Sequence, residues 1–147
     1  MKLIDTIINT ERLILKPIDY IFAEEIYRCF TQEITLYMFP KPSESIDGVK
    51  NFIASSIRNI DSGTELMLAI TLKQTGEFIG CCGLHKISRH PELGVWVKQS
   101  AHGNKYGLEA VSALVRWAKD NIDFEYLKYP VDRRNYASRR IAEQNGG

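Results

Sequence analysis

The chain has 147 residues, of which 44% are hydrophobic and 25% are charged. A chain of this length can bury one sizeable core and is too short for two ordinary domains, so we expect residues 1–147 to form a single α/β domain. The 19 basic and 18 acidic residues give a formal net charge of +1. This near-balance excludes a broad basic field, so neither nucleic acid nor an anionic membrane is expected as a partner.

The N-terminus and the cysteines predict a protein of a reducing compartment. No apolar run approaches the roughly 20 residues of a membrane span, and residues 1–13 lack the long apolar centre and cleavage site of a signal peptide. A cytoplasmic location is therefore expected. Cys81 and Cys82 are neighbours in a predicted strand and Cys29 lies on a predicted helix, which indicates reduced, mostly buried thiols. The histidines and cysteines show no metal-ligand spacing, so no metal site is expected.

The first predicted elements are a strand and two helices. Residues 12–18 alternate as a strand does, and Asp19 can cap the helix that follows. The apolar face of that helix consists of Phe22, Ile26, Cys29 and Phe30. After a proline-containing surface loop, Ser45 begins a second helix, which Gly63 ends.

The middle and the end of the chain predict a meander followed by further helices. Strands are expected at Leu66–Leu72, 78–87 and 93–97, with the first two joined by a hairpin loop that contains Gly76. The remaining predicted elements are a helix at Tyr106–Asn121, a strand at 126–131 and a helix at 135–145. The resulting order is β-α-α-β-β-β-α-β-α.

The most informative stretch, at residues 92–110, reads ELGVWVKQSAHGNKYGLEA. Here an apolar strand enters a short glycine-bearing loop that runs directly into an amphipathic helix. The first N–H groups of a helix have no intrahelical partner, and the helix dipole favours negative charge at that end. The stretch is therefore typical of a site for a phosphate or pyrophosphate.

The element order and this junction resemble the GNAT family of acyl-CoA-dependent N-acetyltransferases. The segments TERLILKPI, ELGVWV and NYASRRIAEQNGG are similar to the RimJ and RimL branch of ribosomal-protein N-terminal acetyltransferases. The resemblance covers almost the whole chain. It implies an α+β fold with a mixed, mostly antiparallel central sheet flanked by helices. It also implies C-terminal strands that are missing here, because the chain ends at Gly147.

The resemblance places the family's pyrophosphate loop on six residues, of which only the last matches the family pattern. These are His102, Gly103, Asn104, Lys105, Tyr106 and Gly107. Lys105 replaces the family's first glycine, and it either adds a charge contact to the pyrophosphate or crowds the loop. His102 replaces a fixed Arg or Gln donor with a ring whose charge depends on pH. Gly103 still gives the loop backbone conformational freedom, and Asn104 still offers a hydrogen-bond donor.

The resemblance also implies how the preceding strand holds the cofactor. A bulge near Val95, Trp96 and Val97 would splay this strand from residues 126–131 and expose backbone groups to the pantetheine arm. Asn135 and Ser138 match the family's Asn-x-x-Ser, in which Asn contacts pantetheine and Ser protonates the departing thiolate. The alternative for this pair is helix capping.

In the implied reaction an amine attacks acetyl-CoA, the cosubstrate, directly, so the site needs a proton acceptor. Glu92 is the candidate base, because it shares one side of the strand with Gly94, which leaves room beside it. A solvated glutamate at a strand start explains Glu92 equally well. The branch favours an α-amine acceptor, on a peptide or protein, although small-molecule amines remain open.

Two other classes stay open at this stage. A noncatalytic acyl-CoA-binding or interaction module is compatible with Lys105, His102 and the short C-terminus. A nucleotide-binding enzyme fits poorly, since the loop lacks the Gly-Lys-Ser/Thr ending of a P-loop. Exchange of a strand with a second copy, giving a homodimer, is one way to pair the edge left by the missing strands.

Overall fold

A computed structural model describes residues 2–29, 45–129 and 145. In this part of the chain five strands form one sheet in the order β1-β2-β3-β4-β5, with every neighbouring pair antiparallel. The strands are β1 (Ile8–Asn9), β2 (Leu13–Pro17), β3 (Leu66–Leu72), β4 (Phe78–His85) and β5 (Glu92–Val97). The helices are α1 (Ala23–Cys29), α2 (Ile46–Ser62) and α3 (Tyr106–Asn121).

Helix ends that were predicted from capping residues are confirmed. The Ser45 hydroxyl accepts a hydrogen bond from the Gly48 N–H at 3.2 Å, and Gly63 ends α2 in the left-handed conformation at φ +80°. Asp19 accepts from the Ile21 N–H and caps the 3₁₀ turn that leads into α1. The bounds of α3 and β3 are as expected. Local capping and turn chemistry therefore determine where these elements begin and end.

The sheet separates two apolar layers. The layer on the α3 side contains Leu13, Leu15, Leu68, Ile70, Ile79, Leu84, Val111 and Leu114. The layer on the α1 and α2 side contains Ile18, Phe22, Ile26, Ile53, Ile60, Ala69, Phe78 and Cys81. A register shift between β3 and β4, at Ile70 and Thr71, brings Phe78 and Cys81 into the same layer. The mixed fold with helices on both sides of the sheet agrees with the sequence prediction.

The strand predicted at 126–131 is described only over residues 126–129. They form a single parallel bridge, in which Leu93 N–H donates to the Lys128 carbonyl at 2.7 Å and Lys128 N–H donates to the Pro91 carbonyl at 2.8 Å. Before this bridge, Glu125 N–H donates to the Arg89 carbonyl at 2.7 Å. The described part of the segment thus lies beside the start of β5, parallel to it, with one bridge between Glu92 and Lys128. The predicted helix at 135–145 lies outside the described residues apart from Asn145.

The bulge expected near residues 95–97 does not appear in the pairing of β5 with β4. This register is regular from His85 opposite Glu92 to Gly80 opposite Val97. Side chains of β5 therefore alternate between the two layers without interruption. Among the described residues, no helix has the length and apolar character to cross a membrane.

Candidate active site

The loop between β5 and α3, residues 102–105, is called the phosphate loop below. It follows a 3₁₀ turn at Gln99–Ala101, and Lys98 N–H ties its approach to the Ile79 carbonyl at 2.7 Å. Lys105 precedes the first helical residue, and its side chain makes no capping bond. The first intrahelical bond runs from Glu109 N–H to the Lys105 carbonyl at 3.1 Å. The three N–H groups before Glu109 thus have no partner within the helix, as an anion site requires.

Lys105 adopts a backbone conformation that suits glycine. Its φ of +62° and ψ of +25° lie in the left-handed region, which an L-residue with a Cβ occupies at a cost. The family pattern has glycine at this position, so the structure keeps the glycine geometry with a lysine in it. Gly103 is also left-handed, at φ +85°, and no atom lies within 4 Å of the position a Cβ would take.

Two side chains of the phosphate loop bind the loop itself. The Asn104 amide donates to the Ala101 carbonyl at 3.1 Å and to the His102 carbonyl at 3.3 Å. His102 Nε2 lies 2.6 Å from the Val97 carbonyl and must be the donor, because a carbonyl oxygen only accepts. The donor expected from Asn104 is therefore already used within the loop. Backbone N–H groups and the Lys105 ammonium remain to meet an anion.

A polar network that the sequence analysis missed braces the start of α3 against the N-terminal strands. Arg12 donates from Nε to Glu109 Oε1 at 2.7 Å and from Nη2 to the Asn104 carbonyl at 2.9 Å, and its guanidinium lies 4.5 Å from the centre of the Tyr106 ring. Thr10 Oγ1 donates to Glu109 Oε2 at 2.5 Å. The only sequence signal was an acid in the first turn of α3.

This network changes the acidity of its central carboxyl. Partial burial raises the pKa of Glu109, but the hydrogen bonds from Thr10 and from the backbone and guanidinium of Arg12 lower it more, so the net pKa is below its usual 4.5. A carboxylate near the helix start would oppose a bound phosphate. Its pairing with Arg12 offsets that repulsion, and the guanidinium stays beside the loop.

The three predicted cofactor residues of β5 do not share a face. Trp96 packs towards α1 and α2, with its ring 5.8 Å from that of Phe78 in an edge-to-face arrangement. Val95 and Val97 pack in the layer under α3. Their side chains belong to the core, and what this strand can offer a pantetheine arm is its backbone.

Glu92 lies at the start of β5 on the face turned towards α1 and α2. Its side chain is 24% exposed, and Oε2 is 3.6 Å from Lys86 Nζ. Directly across the strand pair lies His85, whose Nδ1 is 3.1 Å from Oε2 of Glu65. Sequence reasoning found Glu92 and missed the His85–Glu65 pair, since the two residues are 20 positions apart.

The remaining sequence candidates are placed as follows. Asn135 and Ser138 lie outside the described residues. Burial raises the pKa of the Cys82 thiol to about 12, and burial with the neighbouring Cys82 raises that of Cys81 well above its usual value. Buried neutral thiols are poor nucleophiles, so neither residue suits covalent catalysis. In the described ranges, no group of three or more His, Cys, Asp or Glu side chains converges as metal ligands would.

Several known proteins with a similar sequence or fold are named as acetyltransferases. YoaA of Bacillus subtilis (strain 168), which is named an uncharacterized N-acetyltransferase, is 27% identical over 144 residues, which is 95% of this chain and 81% of YoaA. The solved structure of RimL, a ribosomal L7/L12 α-N-protein acetyltransferase in complex with coenzyme A, superposes with a TM-score of 0.85 at 18% identity, covering 95% of this chain and 82% of RimL. A Salmonella typhimurium acetyltransferase that modifies the N-terminal serine of L7/L12 gives a TM-score of 0.83 at 17% identity, covering 95% and 83%.

The family follows from a match to a family model that covers most of the chain. Residues 12–147 match the family model for the acetyltransferase (GNAT) domain. The chain belongs to the GNAT acetyltransferase family, and the resemblance stated from the sequence is confirmed.

Proposed function

We propose that this protein transfers an acetyl group from acetyl-CoA to a primary amine, with the α-amine at a protein or peptide N-terminus as the acceptor. The observation that carries the proposal is the start of α3, where free N–H groups follow directly from β5 through the phosphate loop. Membership of the GNAT family supports the acyl-CoA cosubstrate, and RimL-like neighbours support the α-amine.

The residues of the site suit coenzyme A. The N–H groups of Tyr106 and Gly107 would meet the pyrophosphate, with the Lys105 ammonium beside them. Gly103 and Asn104 shape the loop, and His102 holds it to the end of β5. Backbone groups of residues 95–97 would line the pantetheine arm. Asn135 and Ser138 keep their proposed contacts to pantetheine and to the thiolate.

Glu92 is proposed to accept a proton from the amine, through water. Its side chain is partly exposed, so water can reach the carboxylate. The room expected beside Gly94 is taken up by the His85 ring, because a Cβ on Gly94 would lie 3.3 Å from His85 Nε2. A reference α-amine has a pKa of about 7.7–8.0, so a carboxylate and water suffice to remove its proton near neutrality. Glu92→Gln is expected to lower turnover and to leave acetyl-CoA affinity unchanged; a fully active variant would reject this role.

Thermal unfolding with and without acetyl-CoA tests the cofactor site. A ligand at 100 times its dissociation constant stabilises a protein by roughly 2.7 kcal/mol, which gives a clear upward shift in Tm. Gly107→Asp should abolish the shift while the protein stays folded, because an acid stabilises a helix start but repels phosphate. Asn51→Asp adds the same charge near the start of α2, on an exposed position, and should leave the shift intact.

A turnover assay tests the acceptor. Release of coenzyme A is measured with a serine-initiated peptide that has a free α-amine and with an N-terminally blocked peptide whose only amine is a lysine. The proposal expects release with the first peptide and little with the second. Release with the lysine peptide alone would assign a different acceptor.

One observation favours a second function, the binding of acyl-CoA without turnover. The phosphate loop departs from the family pattern at Lys105, which holds a glycine conformation, and at His102, which donates to the Val97 carbonyl, whereas the N–H groups at the start of α3 stay free for an anion. An acetyl-CoA-dependent rise in Tm with no coenzyme A release from any amine would support this reading.

A further inference from the structure

His85 presents one ring nitrogen to the face of β5 that carries Glu92. Its Nδ1 lies 3.1 Å from Oε2 of Glu65, and the two side chains are 33% and 17% exposed. An ionised carboxylate has only acceptor sites, so Nδ1 carries the ring proton. In the neutral ring, Nε2 then keeps its lone pair and can accept a proton.

The position of Nε2 follows from the glycine opposite it. A Cβ on Gly94 would lie 3.3 Å from His85 Nε2 and 3.6 Å from Cδ2. The edge of the His85 ring therefore lies against the backbone of Gly94 in β5, the strand that continues into the phosphate loop. Gly94 is two residues beyond Glu92 and on the same face. Nε2 and the Glu92 carboxylate thus approach this strand from one side.

We propose that His85 is a catalytic base of the acyl transfer and that Glu65 is its positioning residue. This inference rests on the proposed function. An N-terminal ammonium must lose two protons to become an amide nitrogen, and two bases on one face match that requirement. The first proton leaves through water to Glu92, which converts the ammonium to the amine.

The second proton leaves as the new bond forms. The amine nitrogen bonds to the acetyl carbon, the carbon–sulfur bond breaks, and Nε2 of His85 takes the remaining excess proton from the nitrogen. The sulfur leaves as a thiolate and gains one proton that comes ultimately from solvent, while Glu92 and His85 return theirs to solvent. The net change is one amide, one thiol and one proton released.

Within residues 2–29 and 45–129, three charged groups lie beside His85 on the elements around it. They are Glu65 before β3, Glu92 on β5 and Lys86 directly after β4. Lys86 Nζ is 3.6 Å from Glu92 and belongs to an exposed side chain. Glu65 is the group bound to the ring itself, and it faces the positive charge that develops when Nε2 accepts a proton.

The test compares matched histidine variants. His85→Gln keeps an amide donor for Glu65 and removes the base, and it should lower kcat roughly 100-fold while acetyl-CoA affinity stays the same. His90→Gln, in the exposed loop before β5, should change kcat less than about twofold. Glu65→Leu should lower kcat and alter its pH profile, because the ring loses the acceptor that fixes its tautomer.

A spectroscopic readout separates this inference from the proposed function. Nitrogen-15 histidine spectra of the unliganded protein should show the neutral His85 ring as the Nδ1–H tautomer, and Glu65→Leu, which removes the acceptor, should abolish that preference. The opposite tautomer overturns the inference whatever the activity. With the expected tautomer and a turning-over wild type, a loss of less than about threefold in His85→Gln also overturns it. A wild type that turns over no amine fails the proposed function, and this inference with it.

Discussion

Arg12 and Glu109 lie 97 residues apart in the chain and are joined by a 2.7 Å hydrogen bond from Nε to Oε1. The Arg12 backbone N–H also donates to Oε2 of the same carboxylate, at 2.9 Å. Through the Asn104 carbonyl the same guanidinium holds the phosphate loop. The edge of the sheet thereby fixes the orientation of the helix start that is proposed to bind pyrophosphate.

Removing the Arg12 guanidinium should loosen that helix start. Arg12→Gln is expected to lower the free energy of unfolding by about 1 kcal/mol. The loss is small because Arg12 is half exposed, and an exposed ion pair stabilises a protein less than a buried one. Acetyl-CoA affinity should fall as well. Arg28→Gln breaks the exposed pair with Glu25 and should do neither. Acetyl-CoA affinity is measured by calorimetry. Equal losses of affinity in both variants would show that Arg12 has no specific effect on the phosphate loop.

The stability contributed by Glu109 should depend on pH. Its pKa is lowered in the folded protein, so the folded state binds fewer protons than the unfolded state below about pH 4.5. The contribution is therefore complete above that pH and is lost as the pH falls through the folded value. Urea unfolding of wild type and Glu109→Gln should show a gap in stability at pH 7 that narrows below 4.5. A stability difference that stays constant with pH would contradict the lowered pKa of Glu109.

Lys105→Gly should relieve backbone strain. Glycine adopts φ +62° without the Cβ penalty, and we expect a gain of about 1 kcal/mol in unfolding free energy. Lys105→Ala keeps the strain and removes only the ammonium. The two variants together separate crowding from charge: tighter acetyl-CoA binding in the glycine variant indicates crowding, and weaker binding in both variants indicates a charge contact. Unchanged acetyl-CoA affinity in both variants would show that Lys105 is not part of the cofactor site.

The three thiols should react in a set order. Cys81 and Cys82 are buried with raised pKa values, whereas Cys29 is only partly buried, although burial raises its pKa as well. Alkylation of the native protein, followed by mass spectrometry, should modify Cys29 first. Cys81 and Cys82 should react only on unfolding. Fast alkylation of Cys81 or Cys82 in the native protein would indicate a local unfolding that exposes β4.

Local chemistry in the sequence predicted the elements whose ends it controls. Ser45 and Gly63 bound α2, the loop with Gly76 joins β3 to β4, and the start of α3 follows the phosphate loop as expected. The strand predicted at 126–131 had apolar and β-branched residues but depended on a partner far away in the chain. Its described part forms one parallel bridge, between Lys128 and Glu92, and no local pattern records which residues it meets.

The sequence by itself determined the fold class and the strand–loop–helix junction, because these follow from periodicity, capping and turn residues within short windows. Its motifs also carried the resemblance to the family. Only the tertiary structure decided which side chains meet. It paired Arg12 with Glu109 and His85 with Glu65, turned Asn104 and His102 into the loop, and kept Lys105 in a glycine conformation. The physical reason is that hydrogen-bond partners are chosen by distance in space, which the packing of the sheet against its helices sets.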